Sequence, residues 1–562
     1  MAGFTRVDVG RALMVKDAAA LVSGLAWIGD AGEGPATALG YTDSVAKFLS
    51  HEDSKVVVAT IGALSSMGMA GEAYMDAIKA KLSSSVPAVR AAAAKGLGKF
   101  GGAAIEFISD LKTAAADDSM ASVKVAAITA LGEMGADSAE DVLKKSLSDA
   151  NVHVSCAAAV ALGKMCLLTD GAKLVSMLGK PGPARYSALT AIASMGIEAP
   201  IECLEAVVTD GLGDKDGIIR KLAVSIVAEF AEVAVLDPVL GKLKGLLKSQ
   251  DAGVRAAAAM AFAAMGEAAV SESYLLLPLL TDDAEDKGGP EMALVMGACA
   301  KRPSPMYRLP KCGAIYALGC MKAESSLEKI AGCLNDTNWE VRLCALEAIA
   351  ALGSSASDLS ETVSPMLEDA SFPVRAAAAT ALGNLGGAEQ AAALATALKD
   401  KAHSVRLAAL LAMIDIGEPS WEYSHSVFLL VKDKASPVRQ AAVRCLSFMG
   451  EIGTNYAGVI ALLLNDEDAE LRAEVVEALG RMGSTGASFA EAVGEKLYDP
   501  SPMVVEAAGR SLMEMGAAGR KFLYATEEYM LPEAASADRT LPPTKSSKAY
   551  MSVLEMERAK LG

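Results

Sequence analysis

Nine arginines fall at one recurring place in this chain, each directly after an apolar residue: Arg90, Arg185, Arg220, Arg255, Arg342, Arg375, Arg406, Arg439 and Arg472. A row of cations at regular spacing could bind phosphates, as nucleic-acid binders do. It could equally make forked ion pairs with carboxylates inside the fold. The hexapeptide VRAAAA, unchanged at 89–94, 254–259 and 374–379, poses the same choice. The charge balance argues against phosphate. With 52 Lys and Arg against 69 Asp and Glu, the formal net charge is −17. That sign favours solubility and basic protein partners over nucleic acid.

Other residues able to do chemistry are sparse. Of the nine cysteines, Cys299, Cys312, Cys320, Cys333 and Cys344 fall in one stretch, but there is no CxxC pair and the gaps are irregular. This fits small buried residues better than a metal site, and an odd cysteine count in a long chain is no disulfide framework. Only four histidines are present, and no GxxxxGK[ST], HExxH or GxSxG motif occurs. No catalytic residue, cofactor or metal ligand is expected.

What positions the arginines is an internal repeat. Aligned on the Val of VRAAAA, fourteen units are anchored at Val56, Val89, Val123, Val154, Ala184, Ile219, Val254, Pro310, Val341, Val374, Val405, Val438, Leu471 and Val504, with Arg or Lys next in eleven of them. Steps are 30 to 35 residues, except for one of 56 between Val254 and Pro310. Five residues before the anchor stands Asp in nine units: Asp118, Asp149, Asp214, Asp336, Asp369, Asp400, Asp433, Asp466 and Asp499. Proline sits one or two residues before it in five units, suiting the first turn of a helix. Eleven residues on is always an apolar residue and at twelve comes Gly in eleven units, the expected left-handed stop. The spacing therefore predicts a first helix of about three turns. A second half such as AEQAAALATAL (388–398) carries its own three-to-four period and predicts a second helix. Such a pair cannot bury its apolar face alone, so neighbours must stack into an all-α superhelical solenoid.

The pattern D-x4-V-R-x-x-A-x-x-A-L-G-x-x-G, as in DASFPVRAAAATALGNLG at 369–386, resembles the HEAT repeat of armadillo-type proteins, in the short form of phycobilin-lyase-type relatives. The resemblance covers about residues 51–530. It implies an α-solenoid of about fourteen two-helix repeats. It also implies a ladder of Asp–Arg bonds between successive repeats, here Arg90, Arg255, Arg342, Arg375, Arg406, Arg439 and Arg472 with Asp336, Asp369, Asp400, Asp433 and Asp466. Catalytic relatives fit poorly. Deoxyhypusine hydroxylase holds iron through several His-Glu pairs, and only His51-Glu52 occurs here; HEAT-like alkylpurine glycosylases need a basic cleft.

The expected organisation is an N-terminal cap with a degenerate repeat (1–50), a first repeat block (51–280), an irregular insertion (281–309), a second block (310–530), and a linker with a short C-terminal helix (531–562). Two features outside the repeat grammar are candidate partner contacts. Tyr423, Tyr456, Phe489 and Phe522 share one repeat position, with Tyr74 and Phe107 matching them near the other end. They lie one turn before apolar residues, near the core stripe, although a row of rings could also line a groove. The acidic start of the insertion, Asp282, Asp283, Glu285 and Asp286, reads as an exposed loop, followed by a short helix around 291–300.

Mean hydropathy is +0.32, yet no uncharged apolar run is long enough to span a bilayer and no secretory h-region is visible. A cytoplasmic location is the expectation. Function reads as a non-catalytic scaffold or adaptor that binds protein partners. The alternatives are a phycobilin-lyase-like or other small-ligand-handling protein, and a transport or nucleic-acid-associated HEAT protein.

Overall fold

The computed structural model describes residues 13–15, 17–30, 40–168, 171–231, 237–286, 305–386 and 388–530. The helix read around 291–300, Cys299, and the linker and helix read at 531–562 lie outside these residues. Among the described residues every regular element is helical and there is no strand. Two compact units are formed: Met1–Ala268 with Asp283–Pro310, and Ala269–Asp282 with Lys311–Gly562.

Each anchor sits near the start of a first helix. In the first unit these are α1 (Ser54–Leu64), α2 (Pro87–Lys99), α3 (Ala121–Glu133), α4 (Val152–Lys164), α5 (Pro183–Met195), α6 (Gly217–Ala231) and α7 (Ala252–Met265). In the second they are α8 (Pro310–Cys320), α9 (Trp339–Leu352), α10 (Phe372–Leu385), α11 (His403–Ile416), α12 (Ser436–Phe448), α13 (Ala469–Arg481) and α14 (Pro502–Glu514). The helix Ala18–Asp30 buries Leu21, Leu25 and Ile28 and packs on α1. Starts are set by proline in the first turn (α2, α5, α10, α12, α14) or by an N-cap side chain, as where Asn151 accepts from the His153 N–H and Asp468 from the Glu470 N–H.

The stops are sharper than a generic C-cap. All eleven glycines twelve past an anchor have positive φ, between 53° and 74°. Only some are left-handed in the expected sense. Gly386 is (φ 72°, ψ 24°), but Gly68, Gly196, Gly266, Gly353 and Gly417 combine positive φ with ψ between −131° and −141°. That region is open almost solely to a residue without Cβ. Among the described residues the two non-glycines with positive φ, Cys166 (53°) and Lys322 (54°), occupy this same repeat position. Cys166→Gly should therefore stabilise the protein by up to about 1 kcal/mol, relief of φ strain being partly offset by a looser unfolded chain. Urea unfolding of Cys166→Gly against wild type checks this, and an unchanged or lower midpoint would refute it.

First helices approach so closely that their backbones touch. A Cβ added at Gly98, Gly132 or Gly163 would lie 2.7 to 2.8 Å from the Cα of Ala130, Ala161 or Ala191 in the next helix. Gly319 and Gly383 stand in the same relation to Ala348 and Ala412. This is the glycine of the A-L-G triplet (G-L-G at Gly98), and the alanine opposite is the matching small residue of the following repeat. Of the VRAAAA alanines, all four are buried in α7, but only the last two in α2 and α10.

Some second halves form the single helix expected, as in Asp237–Leu246 and Ala517–Met530, but others depart from it. Residues 353–368, for example, run as a 3-10 stretch (Gly353–Leu359), one α-turn (Ser360–Val363) and another 3-10 stretch (Ser364–Glu368). Within the first of these stretches Ala356 (φ −108°, ψ 17°) leaves helical geometry. The three-to-four period of these stretches suits either helix type. The run Ala252–Leu275 is long and apolar enough to cross a membrane, with a mean hydropathy of 1.2. The turn at Gly266 divides it, however, and 61% of the apolar window is buried within the protein.

Candidate interaction surface

The recurring arginines turn into the fold. Arg342 grips Asp369 of the next repeat with both forks, Nε to Oδ2 at 2.7 Å and Nη2 to Oδ1 at 2.9 Å. Its Nη1 donates to the carbonyl of Asp336, the aspartate of its own repeat, at 2.7 Å. Arg375 repeats this arrangement with Asp400 and the Asp369 carbonyl, and Arg406 with Asp433 and the Asp400 carbonyl. Arg472 does so with Asp499 and the Asp466 carbonyl, and Arg90 with Asp118. Lys311 pairs with Asp336 at 2.6 Å and Lys124 with Asp149 at 3.5 Å. Arg185 joins Asp214. Arg439 holds Asp466 more loosely, at 3.5 Å, and Arg255 donates to the Ser249 and Gln250 carbonyls. Where two successive repeats both carry the arginine, as at Asp214, Asp369, Asp400, Asp433 and Asp466, the aspartate faces the previous repeat's arginine and lends its carbonyl to its own.

Every ladder aspartate also accepts the N–H two residues on, as Asp369 does from Ser371 at 2.8 Å. These bonds stabilise the charged form. At Asp400 the Arg375 hydrogen bond, outweighing burial, holds the carboxyl below its ordinary range. At Asp369, Asp433 and Asp499 burial pushes up, but the bonds from Arg342, Arg406 and Arg472, the backbone N–H groups and nearby cations together pull further down. Guanidiniums committed in this way present no phosphate-binding row.

The aromatic column is neither core nor open groove. Tyr423, Tyr456, Phe489 and Phe522 are all half-buried, and Phe107 alone of the six is buried. Tyr74, Phe107, Tyr456 and Phe489 stand at the break where the α-helical part of the second half begins. Three of the six rings reach back one repeat. Tyr456 stacks on Phe428 (centroids 4.9 Å, 24°), the Tyr74 hydroxyl bonds Asp43, and Phe522 packs on Gly494. At these three positions the ring ties one second half to the one before it.

The acidic stretch is also divided. Asp283 is exposed and Asp282 half-buried, whereas Glu285 pairs with Arg308 and Asp286 with Arg220. Both are engaged in ion pairs, and Glu285 remains exposed as the loop reading expects, while Asp286 is half-buried. Cys312, Cys333 and Cys344 are buried, and a Cys312 hydrogen bond together with burial raises the Cys344 thiol. Burial pushes Cys445 up to about 12. Protonated buried thiols are unreactive. Among the described residues no three His, Cys, Asp or Glu side chains are grouped to hold a metal ion.

Two features escaped the sequence. On α12–α14, Glu474, only 5% exposed, receives both Arg444 (3.0 Å) and Arg481 (2.7 Å). Arg510 bridges Glu477 and Glu506, and Arg481 lies 5.0 Å over the Phe448 ring. The second feature is an open groove of about 600 Å³ between two second halves of the second unit. Glu361, Ser364, Pro365, Leu367 and Glu368 line one side, and Gln390, Ala393, Thr396, Ala397 and Asp400 the other.

The family model for HEAT repeats matches residues 108–193, 360–421 and 456–525, and a second HEAT repeat model matches 327–356. HEAT repeats are thus detected over these four stretches of the chain. Neither matching model describes a catalytic family, and neither singles out the lyase-type form. No curated protein matches in sequence. Among solved structures, the HEAT solenoid here is similar to Kap121p bound to Pho4p, with a TM-score of 0.62 at 14% identity over 93% of this chain and 66% of that one. It is similar to Kap95p in complex with RanGDP, at 0.60 and 14% over 98% and 80%. It is also similar to yeast importin-β (Kap95p), at 0.54 and 14% over 92% and 72%. At such identities the likeness establishes the all-α solenoid fold.

Proposed function

We propose that this protein is a non-catalytic scaffold or adaptor that binds protein partners on the face formed by its second halves, and that the segment seated there is basic. The groove between residues 361–368 and 390–400 carries the reading. It is open and lined by Glu361, Glu368 and Asp400 together with the apolar Leu367 and Pro365. Asp400 is already paired with Arg375, so Glu361 and Glu368 are the carboxylates available to a Lys or Arg side chain. Complementary charge at a partly apolar groove gives orientation and on-rate.

The test is a fluorescent Lys/Arg-rich peptide compared with a Glu-rich peptide of equal length, at two ionic strengths. The basic peptide should bind, weaken with salt, and lose at least about tenfold in affinity on E361K/E368K, each tenfold being about 1.4 kcal/mol. Charge reversal at the exposed Glu491 and Glu495, on another second half, should matter far less. Equal binding of both peptides, or no stable partner in a native pull-down, would defeat the proposal. Cargo transport is a second reading, supported by the named complexes of Kap121p with Pho4p and Kap95p with RanGDP. It predicts co-purification with a small GTPase, which a static scaffold does not.

A further inference from the structure

Along the ladder the two partners of each rung come and go together. Where the residue after the anchor is Val57 or Ser155, the facing position in the next repeat is Ser84 or Gly179. Where it is Arg90, Lys124, Arg185, or a cation between Lys311 and Arg472, that position is aspartate. The rule fails at the two junctions beside the 56-residue step, where Arg220 faces Ser249 and Arg255 faces Pro305.

Ser249 still occupies the place of a rung aspartate. Its Oγ accepts the Asp251 N–H at 3.2 Å, as Asp369 accepts that of Ser371. Its carbonyl accepts from Arg255 at 2.7 Å, as the Asp336 carbonyl does from Arg342. Only the carboxylate is missing, and it arrives from outside the repeat. Asp286 pairs with the Arg220 guanidinium, whose side chain is 4% exposed. Space for it is made by Gly253, where a Cβ would collide with both Arg220 Nη2 and Asp286 Oδ2. The same short segment is fastened at a second point: the Asp286 N–H donates to the Arg308 carbonyl at 2.9 Å, and Glu285 pairs with the buried Arg308. The helix Pro305–Arg308 in turn packs on α7.

Three departures from the repeat thus converge on one spot: a lost carboxylate, a lost side chain and an imported carboxylate. We propose that Arg220, Ser249 and Gly253 form a carboxylate-binding notch filled by Asp286, so that residues 283–286 and 305–308 are latched onto the first unit by an exchangeable rung. A carboxylate supplied at position 249 then competes for the same guanidinium and opens the latch without loss of the rung.

The experiment measures amide exchange of 283–286 and thermal unfolding for S249D, D286N and the double variant S249D/D286N. D286N should lower Tm and speed exchange at 283–286 at least about tenfold. S249D should speed exchange by a similar factor while Tm holds, and S249D/D286N should recover the Tm lost by D286N with exchange still fast. Unchanged protection of 283–286 in S249D would mean that Asp286 is not held by this guanidinium. Failure of the double variant to regain Tm would mean that Asp286 is no rung. Either result overturns the latch.

Discussion

Gly132→Ala should destabilise the first unit by about 1–3 kcal/mol, although glycine to alanine inside a helix ordinarily gains up to about 1 kcal/mol. Gly132 lies within α3, where the added methyl would sit 2.8 Å from the Ala161 Cα and 2.7 Å from its Cβ. Backbone cannot swing aside as a side-chain tip can, so α3 and α4 would have to separate. Separation would also thin the contacts of Leu131 and Leu162, both fully buried. Gly62 is the matched control. It lies in the interior of α1, exposed, with nothing within 4 Å of a built Cβ. Gly62→Ala should therefore raise stability by up to about 1 kcal/mol. The two variants are compared by urea unfolding. Shifts in the same direction would show that helix propensity, not close approach, decides the effect at Gly132.

That pair of glycines shows what a sequence of this kind discloses. The fold was legible because its geometric demands recur in every repeat and each restricts residue type. A chain reversal at positive φ asks for Gly, a first turn tolerates Pro, and a turn closed by a carboxylate asks for Asp. Fourteen copies made these demands visible without an alignment. What stayed hidden are relations between repeats. Whether Arg342 binds Asp336 or Asp369 depends on how neighbours stack, and the answer is both: the carbonyl of one and the carboxylate of the other. The rings of Tyr456 and Phe428 touch across a repeat boundary that periodicity alone does not cross. The second-half groove arises from two irregular stretches whose 3-10 turns the three-to-four period leaves undistinguished from α-helix. Asp286 lies 66 residues from its partner. The signal existed even so, in Ser249 and Gly253 standing opposite an arginine that all the repeats away from the 56-residue step match with aspartate.

Breaking one rung should cost more than a surface ion pair does. Asp369 and Arg342 are 7% and 15% exposed at the side chain and joined by two parallel hydrogen bonds. Arg342→Ala leaves a nearly buried carboxylate without its main partner and the Asp336 carbonyl without its donor, so a loss of about 2–3 kcal/mol is expected. Exposed pairs such as Lys242–Glu205, at 51% and 60%, should contribute no more than about 1 kcal/mol. Removing both charges as R342M/D369L should recover part of the loss, because neither orphan remains. Acid gives an independent check. In the unfolded chain aspartate titrates near about 3.9, while in the folded protein Asp118, Asp336, Asp369, Asp400, Asp433 and Asp499 are all held lower. Between the unfolded and folded values the unfolded chain binds more protons, so stability falls as pH drops through that window. The ladder's contribution is complete above the unfolded value and gone below the folded ones. Urea midpoints at successive pH values from neutral to about 3 should show this acid limb. Asp369→Asn should make the limb shallower while costing stability at neutral pH. An Asp369→Asn variant with the wild-type acid slope would mean that the rungs do not carry the proton linkage, and a neutral-pH cost below that of Lys242→Ala would mean that they do not hold the repeats.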